Sequence, residues 1–207
     1  MKRYVTMLVL VLLSAITSAA NAYRLPDTGQ TKCYRATDPY DEIPCAGTGQ
    51  DGAYPKNPMS FTDNGDGTVT DNNTGLIWQK CSVGQNNDSS CSGTAATYNW
   101  YQASGTYDLV NNPSSQNVCG ALTLGGYSDW RLPSKKELTS IVDYSIPYPG
   151  PTIKQSNFPN TVASNYWSST KLAYGPYDAW DVDFGVGDVY YYIKVAPGYF
   201  RCVRGGQ

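Results

Sequence analysis

Six cysteines placed after what reads as an export leader constrain this chain more than any other feature. In an oxidising compartment cysteines persist as bridges, and an even number reads as a disulfide framework. Fifteen pairings are formally open, and proximity along the chain favours Cys33 with Cys45, Cys81 with Cys91, and Cys119 with Cys202. The first two close short loops. The third ties the middle of the chain to its end, a closure worth about 4 to 5 kcal/mol on the chain-entropy model. The leader is residues 1–22, with Lys2 and Arg3, an apolar run from Met7 to Leu13, and Ala20 and Ala22 ahead of Tyr23. That run is shorter than the roughly 20 residues a bilayer span needs. Cleavage after Ala22 is therefore expected, giving an exported protein that is periplasmic, cell-surface or secreted, with no membrane span.

Removing two basic residues with the leader moves the formal net charge from −2 to −4. A generally basic nucleic-acid surface is thereby excluded. Charged residues are only 15% of the chain, whereas Tyr (18), Gly (20) and Pro (13) abound, a composition that favours short strands and loops over long helices. Residues 23–60 are polar and proline-dotted and read as a cysteine-clipped N-terminal segment, followed by one domain over 61–207.

In that domain Phe61, Thr68 to Thr70 and Leu76 to Trp78 are strand candidates separated by Asp/Asn/Gly turns. Thr97 is a candidate cap for a short helix through Trp100 and Tyr101, and a second helical piece is expected from Ser115 to Leu122. The clearest helix starts at Ser134, because SKKE sets Glu137 three residues after an N-cap serine, and Leu138, Ile141 and Val142 follow on one face. Beyond Pro147, Pro149 and Pro151 the chain returns to strands. Trp180, Val182 and Phe184 alternate with Asp181 and Asp183, and Val189, Tyr191, Ile193 and Val195 alternate with Asp188, Tyr190, Tyr192 and Lys194. In each run the first set is expected to face the core. Trp78, Trp130, Trp167 and Trp180 are expected in the core as well.

The absence of histidine removes Ser-His-Asp and Cys-His machinery and most zinc sites. No C-x-x-C occurs, so structural bridges are a better reading than redox thiols. Asp178, Asp181, Asp183 and Asp188 are the one carboxylate set dense enough for acid chemistry, and a secreted carboxylate-based enzyme is the least favoured reading. The turn TDNGDGTVTD offers Asp63, Asn64, Asp66 and Asp71 to calcium, but Thr62 stands where an EF-hand loop has its first ligand and the closing Glu is missing. The competing reading is a hairpin whose Asp and Asn side chains satisfy their own backbone. No cofactor is expected.

The segments DNGDGTVTDNNTGLIWQK, GGYSDWRLPSKKEL, YWSST and RCVRGG, in this order, make the chain from about Phe61 to Gly206 resemble the Lcl C-terminal domain family. The family is related to C-type-lectin-like and formylglycine-generating-enzyme-like folds. In these a W-x-LP-x-x-x-E segment (here Trp130, Leu132, Pro133 and Glu137) opens a helix, and an F-R-C-V strand (Phe200 to Val203) returns beside the start. The resemblance implies an α+β, disulfide-braced, C-type-lectin-like fold of short twisted antiparallel strands with one or two helices, and it supports the Cys119–Cys202 bridge. It also implies adhesion or recognition, which the family's collagen-like adhesin directs at sulfated polysaccharides. This chain has no collagenous repeat and is acidic once processed.

Tyrosine joins flat apolar area to a hydroxyl at small entropic cost, which suits contact with sugars or proteins. Consecutive Tyr190, Tyr191 and Tyr192 cannot all enter one core. The candidate ligand face is therefore Asp188, Tyr190, Tyr192 and Lys194 with Tyr174, Tyr177 and Asp178 from the preceding loop. The leading expectation is a non-enzymatic adhesion module recognising an extracellular glycan or a surface protein. The alternative is a structural subunit of a surface fibre or envelope assembly, in which the tyrosines bind other chains, including copies of this one.

Overall fold

The computed structural model describes residues 26–206; the expected leader, residues 1–22, lies outside them. In chain order the elements are β1 (Cys33–Tyr34), β2 (Glu42–Ile43), β3 (Phe61–Asp63), β4 (Thr68–Asp71), β5 (Ile77–Gln79), α1 (Trp100–Ser104), α2 (Lys135–Thr139), β6 (Asn165–Lys171), β7 (Asp178–Asp183), β8 (Asp188–Ile193) and β9 (Val203–Arg204). They form three small sheets ordered β1-β2, β3-β4-β5-β9 and β6-β7-β8, with antiparallel neighbours throughout. The result is a disulfide-braced α+β architecture.

All three favoured bridges are formed: Cys33–Cys45, Cys81–Cys91 and Cys119–Cys202. The N-terminal segment holds little more than the β1–β2 hairpin and one bridge. It is fastened to the domain through backbone, where Tyr144 donates to the Thr28 carbonyl at 2.9 Å, and through Lys154, which donates to the Met59 carbonyl at 3.1 Å.

Helix α2 begins as its sequence requires. The Ser134 hydroxyl accepts from the Glu137 amide while the Glu137 carboxylate accepts from the Ser134 amide at 2.7 Å, so two otherwise unpaired helix-end donors are satisfied reciprocally. Glu137 also receives a two-pronged ion pair from Arg131 at 2.6 and 2.9 Å, and Arg131 donates to the Gly205 carbonyl. One acid thus caps the helix and fastens the chain end to the WRLP segment. Helix α1 is capped by Asn99 with Gln102 and not by Thr97, because Asn99 occupies the position from which a side chain reaches the third amide. Residues 115–122 form turns instead of a helix. Asn112 explains part of this, since its buried amide donates to the carbonyls of Tyr101, Thr106 and Gln116 and holds the chain in a loop.

Two cores lie on opposite faces of β6 and β7. On one face Tyr166, Val182 and Phe184 join Trp78, Leu138, Ile141, Phe158 and Val203; on the other Trp167 and Ala179 join Trp100, Trp130, Phe200 and Cys202. The segment Phe200 to Val203 runs between them, sending Phe200 and Cys202 into one and setting Arg201 and Val203 against the other. All four are buried. The Arg201 guanidinium donates to the Gln79 carbonyl at 2.9 Å, to the Lys80 carbonyl and to the Thr161 hydroxyl at 2.8 Å, and it lies over the Phe158 ring at 4.7 Å.

Trp180 departs from expectation, being half-buried with the Lys135 ammonium 3.8 Å from its ring centre. Strand β8 departs further: Val189 is half-buried against the first core, but Tyr190, Tyr191, Tyr192 and Ile193, with Val195 just past the strand, are all exposed, so beyond Val189 its alternation separates no core face from a solvent face. It is the edge of its sheet, and little packs over either side.

Replacing Arg201 with Met keeps most of the apolar stem but takes the guanidinium donors from the carbonyls of Gln79 and Lys80, while the Thr161 hydroxyl keeps its bond to the Phe158 carbonyl. A loss of at least about 2 kcal/mol in chemical denaturation is expected, whereas an unchanged or higher stability would contradict the role assigned to this side chain.

Candidate functional site

The β7–β8 hairpin places side chains on a defined face because its register is unbroken, pairing Asp181 with Tyr190, Ala179 with Tyr192 and Asp183 with Asp188. Strand periodicity then sets Asp181, Asp183, Asp188, Tyr190 and Tyr192 on one face. Asn165 joins them from β6, where it pairs with Asp183. Along this face runs a cleft of about 520 Å³ whose functional lining is Asn165, Asp183, Asp188, Tyr190, Tyr192 and Tyr199. Tyr191 also lines it, its ring nearly parallel to that of Tyr190 with centroids 6.4 Å apart.

The far wall is the Pro197–Tyr199 loop. It is pinned by paired backbone bonds between Gly198 and Tyr98, at 3.0 and 2.9 Å, and by the Trp167 amide's 2.8 Å bond to the Tyr199 carbonyl. Gly198 is required there: a Cβ would lie 2.5 Å from the indole nitrogen of Trp167. The cleft therefore has one wall on a sheet edge and the other on a loop anchored to the second core.

Beneath the face lies Asp181, 1% exposed. Its Oδ2 accepts from the Asn165 amide at 2.9 Å, and its Oδ1 has no hydrogen-bond partner among the described residues. Burial pushes its carboxyl up to about 6; the Asn165 donation opposes the shift and the neighbouring Asp183 charge adds to it. Asp183 accepts from the Gly185 amide at 2.7 Å and so holds the turn between the strands.

Of the residues expected from sequence, Asp188, Tyr190 and Tyr192 meet in this cleft. Tyr174 and Tyr177 are exposed, and with Asp178 they lie at the opposite end of the hairpin, where Asp178 pairs with Ile193; none of the three lines the cleft. Lys194 is not an outward cation. It lies just past the end of β8 and is buried, with its ammonium bonded to the Pro176 carbonyl and 5.0 Å from the Trp100 ring. Asp181 likewise departs from the solvent-facing position expected of it. Asn165 and Tyr199 were not singled out from sequence. Tyr199 adjoins the FRCV motif, while nothing local marks Asn165, which reaches the site only through strand pairing.

The acidic turn does not gather ligands for a cation. Asp63 is held by Lys80 at 2.7 Å and by the Gly65 amide, Asp66 by the Thr68 amide and hydroxyl, and Asn64 bonds Thr68 and Thr70. Asp71 is buried and accepts from the Asn73 amide and the Thr74 hydroxyl. Each side chain closes its own turn, and among the described residues no group of three or more acidic, His or Cys side chains is placed to hold a metal ion.

A second groove, of about 560 Å³, lies between the N-terminal segment and α2, lined by Thr28, Met59, Lys135, Thr139, Tyr144 and Val189. Its lining is more apolar, with a single ring, Tyr144, and a single carboxylate, Asp27, beside Lys135 and Lys136. No described helix is long and apolar enough to cross a membrane.

The model of the Lcl C-terminal domain matches residues 67–204, a span that contains every residue lining the cleft. No curated protein sequence matches the chain.

A buried carboxyl whose folded pKa is raised contributes stability below its unfolded value, near 3.8, and loses it as pH rises through about 6. Asp181→Asn should therefore gain thermal stability relative to the wild type on going from about pH 5 to about pH 7.5. A difference that is the same at both pH values would contradict the assigned burial.

Proposed function

We propose that this chain, which belongs to the Lcl C-terminal domain family, is an exported, C-type-lectin-like binding module that recognises a glycan through the cleft between β8 and the Pro197–Tyr199 loop. It acts by binding and not by catalysis, in the periplasm, at the cell surface or after secretion. The observation that carries this reading is the cleft's composition: Tyr190, Tyr192 and Tyr199 supply flat rings, and Asn165, Asp183 and Asp188 supply hydrogen-bonding groups along one edge. A sugar ring has an apolar face and a rim of hydroxyls, so rings that stack and carboxylates that accept match it on both counts.

Three disulfides suit an oxidising compartment. No lysine or arginine is among the described residues lining the cleft, which favours an unsulfated glycan over the sulfated polysaccharide suggested by the family's adhesin. Recognition is taken to be independent of calcium, because the acidic turn spends its oxygens on its own backbone and on Lys80.

A second reading, assembly into a surface structure, is favoured by Tyr174 and Tyr177, which are 78% and 72% exposed away from the cleft. Such rings are suited to protein contacts.

A glycan array probed with residues 23–207 tests the first reading. Binding is expected with and without a chelator, and Tyr190→Ala and Tyr192→Ala should each weaken it about tenfold or more. Binding that survives both substitutions would remove the site from this cleft, and failure to bind any glycan would transfer the weight to assembly.

A further inference from the structure

The cleft's charge is one-sided in a way that a neutral sugar does not require. Asp183 and Asp188 face each other across the end of the hairpin, and Asp181 sits beneath them on the same face of β7. Asp183 is half-buried and already committed to the turn through Gly185. Asp181 is almost wholly enclosed, shares its one bonded oxygen with the lining Asn165, and leaves its other oxygen without a partner among the described residues. The rings of Tyr190, Tyr192 and Tyr199 line the same cleft as Asp183 and Asp188. No cationic side chain among the described lining residues balances them.

Carboxylates and aromatic rings lining one cleft make a setting that favours a cation. Ring quadrupoles attract an ammonium group, and like-signed carboxylates held close together are stabilised by a positive charge set between them. A metal ion fits poorly, because these acids do not converge into a ligand set. An ammonium group needs only a few acceptors and an aromatic face.

We propose that the ligand is a glycan carrying a free, protonated amine, such as a de-N-acetylated hexosamine, with its ammonium group held between Asp183 and Asp188 and its ring against Tyr190 and Tyr192. This rests on the glycan reading above and specifies its substrate class. The tyrosines recognise the sugar ring, and the carboxylates choose the amine over the acetamide, which has neither the charge nor the small size.

Calorimetric titration of the exported chain at about pH 6, below an amine's pKa, tests the proposal with three probes: a tetramer of β-1,4-linked glucosamine, its fully N-acetylated counterpart and a tetralysine peptide. The glucosamine tetramer is expected to bind about tenfold or more tightly than either of the others. In Asp183→Asn/Asp188→Asn, checked for native folding by circular dichroism, that preference should collapse to about twofold or less. Equal binding of the two sugars, or tighter binding of the acetylated one, would overturn the amine assignment while leaving the glycan reading intact. Tetralysine binding as tightly as the sugar would overturn the glycan class. A preference that persists in the double variant would place the amine elsewhere, and no binding of either sugar would count against both the assignment and the reading it rests on.

Discussion

A fully buried guanidinium is the constraint on which the rest of this structure depends. Among the described residues Arg201 has no carboxylate partner; it is held by the carbonyls of Gln79 and Lys80, the hydroxyl of Thr161 and the face of Phe158. Burial lowers its pKa to about 10, with neighbouring Tyr166 opposing the shift, so it remains charged at neutral pH. Removing such an ion from water is expensive unless its donors are met; its two terminal nitrogens are met while Nε has no partner among the described residues, and meeting them requires three separate pieces of chain to be in place at once. The end of β5, the loop after Phe158 and the C-terminal segment are thereby fixed relative to one another. Cys202 next to it bridges to Cys119, and Val203 pairs with both Trp78 and Arg131. Four consecutive residues thus make four different kinds of tie.

That fixation reaches the candidate site directly. The Pro197–Tyr199 wall enters the FRCV segment without an intervening loop, and its Gly198 is pressed against Trp167 in the same core that receives Phe200. The opposite wall is the edge strand β8, whose tyrosines project from a hairpin of unbroken register. A cleft between an anchored loop and a strand edge can present rings and carboxylates without first ordering them, which reduces the entropy lost on binding. The edge position explains the tyrosine richness too. Beyond Val189, which packs against the first core, neither face is covered, so β8 can carry large amphipathic side chains on both.

Local chemistry made much of the fold legible in the sequence. The Asp/Asn/Gly turns marked β3 to β5, the Ser134–Glu137 box marked α2, and proximity identified the cysteine pairs, because each of these is decided within a few residues or by a covalent bond. What could not be read depended on partners distant in sequence. Alternation in β8 suggested a buried face for Tyr191 and Ile193, but alternation shows only that two faces exist, not that a second layer covers either. Lys194 sits one residue past the strand, where the Pro176 carbonyl and Trp100 take it inside. Asp181 is buried because β7 is the central strand of its sheet with a core on each face. Half the candidate site was accessible from sequence through Asp188, Tyr190 and Tyr192, and Asp183 was marked there only as one of a carboxylate set; Asn165 came with the register.

The proposed ligand site is the cleft joining β8 to the Pro197–Tyr199 loop. Amide chemical-shift mapping during titration with the glucosamine tetramer locates it residue by residue. Saturable shifts are expected at Asn165, Val186 to Tyr192 and Gly198 to Tyr199, with the α2 groove around Thr139 and Tyr144 unchanged. Shifts centred on that groove, or on Tyr174 and Tyr177, with the cleft silent, would contradict it.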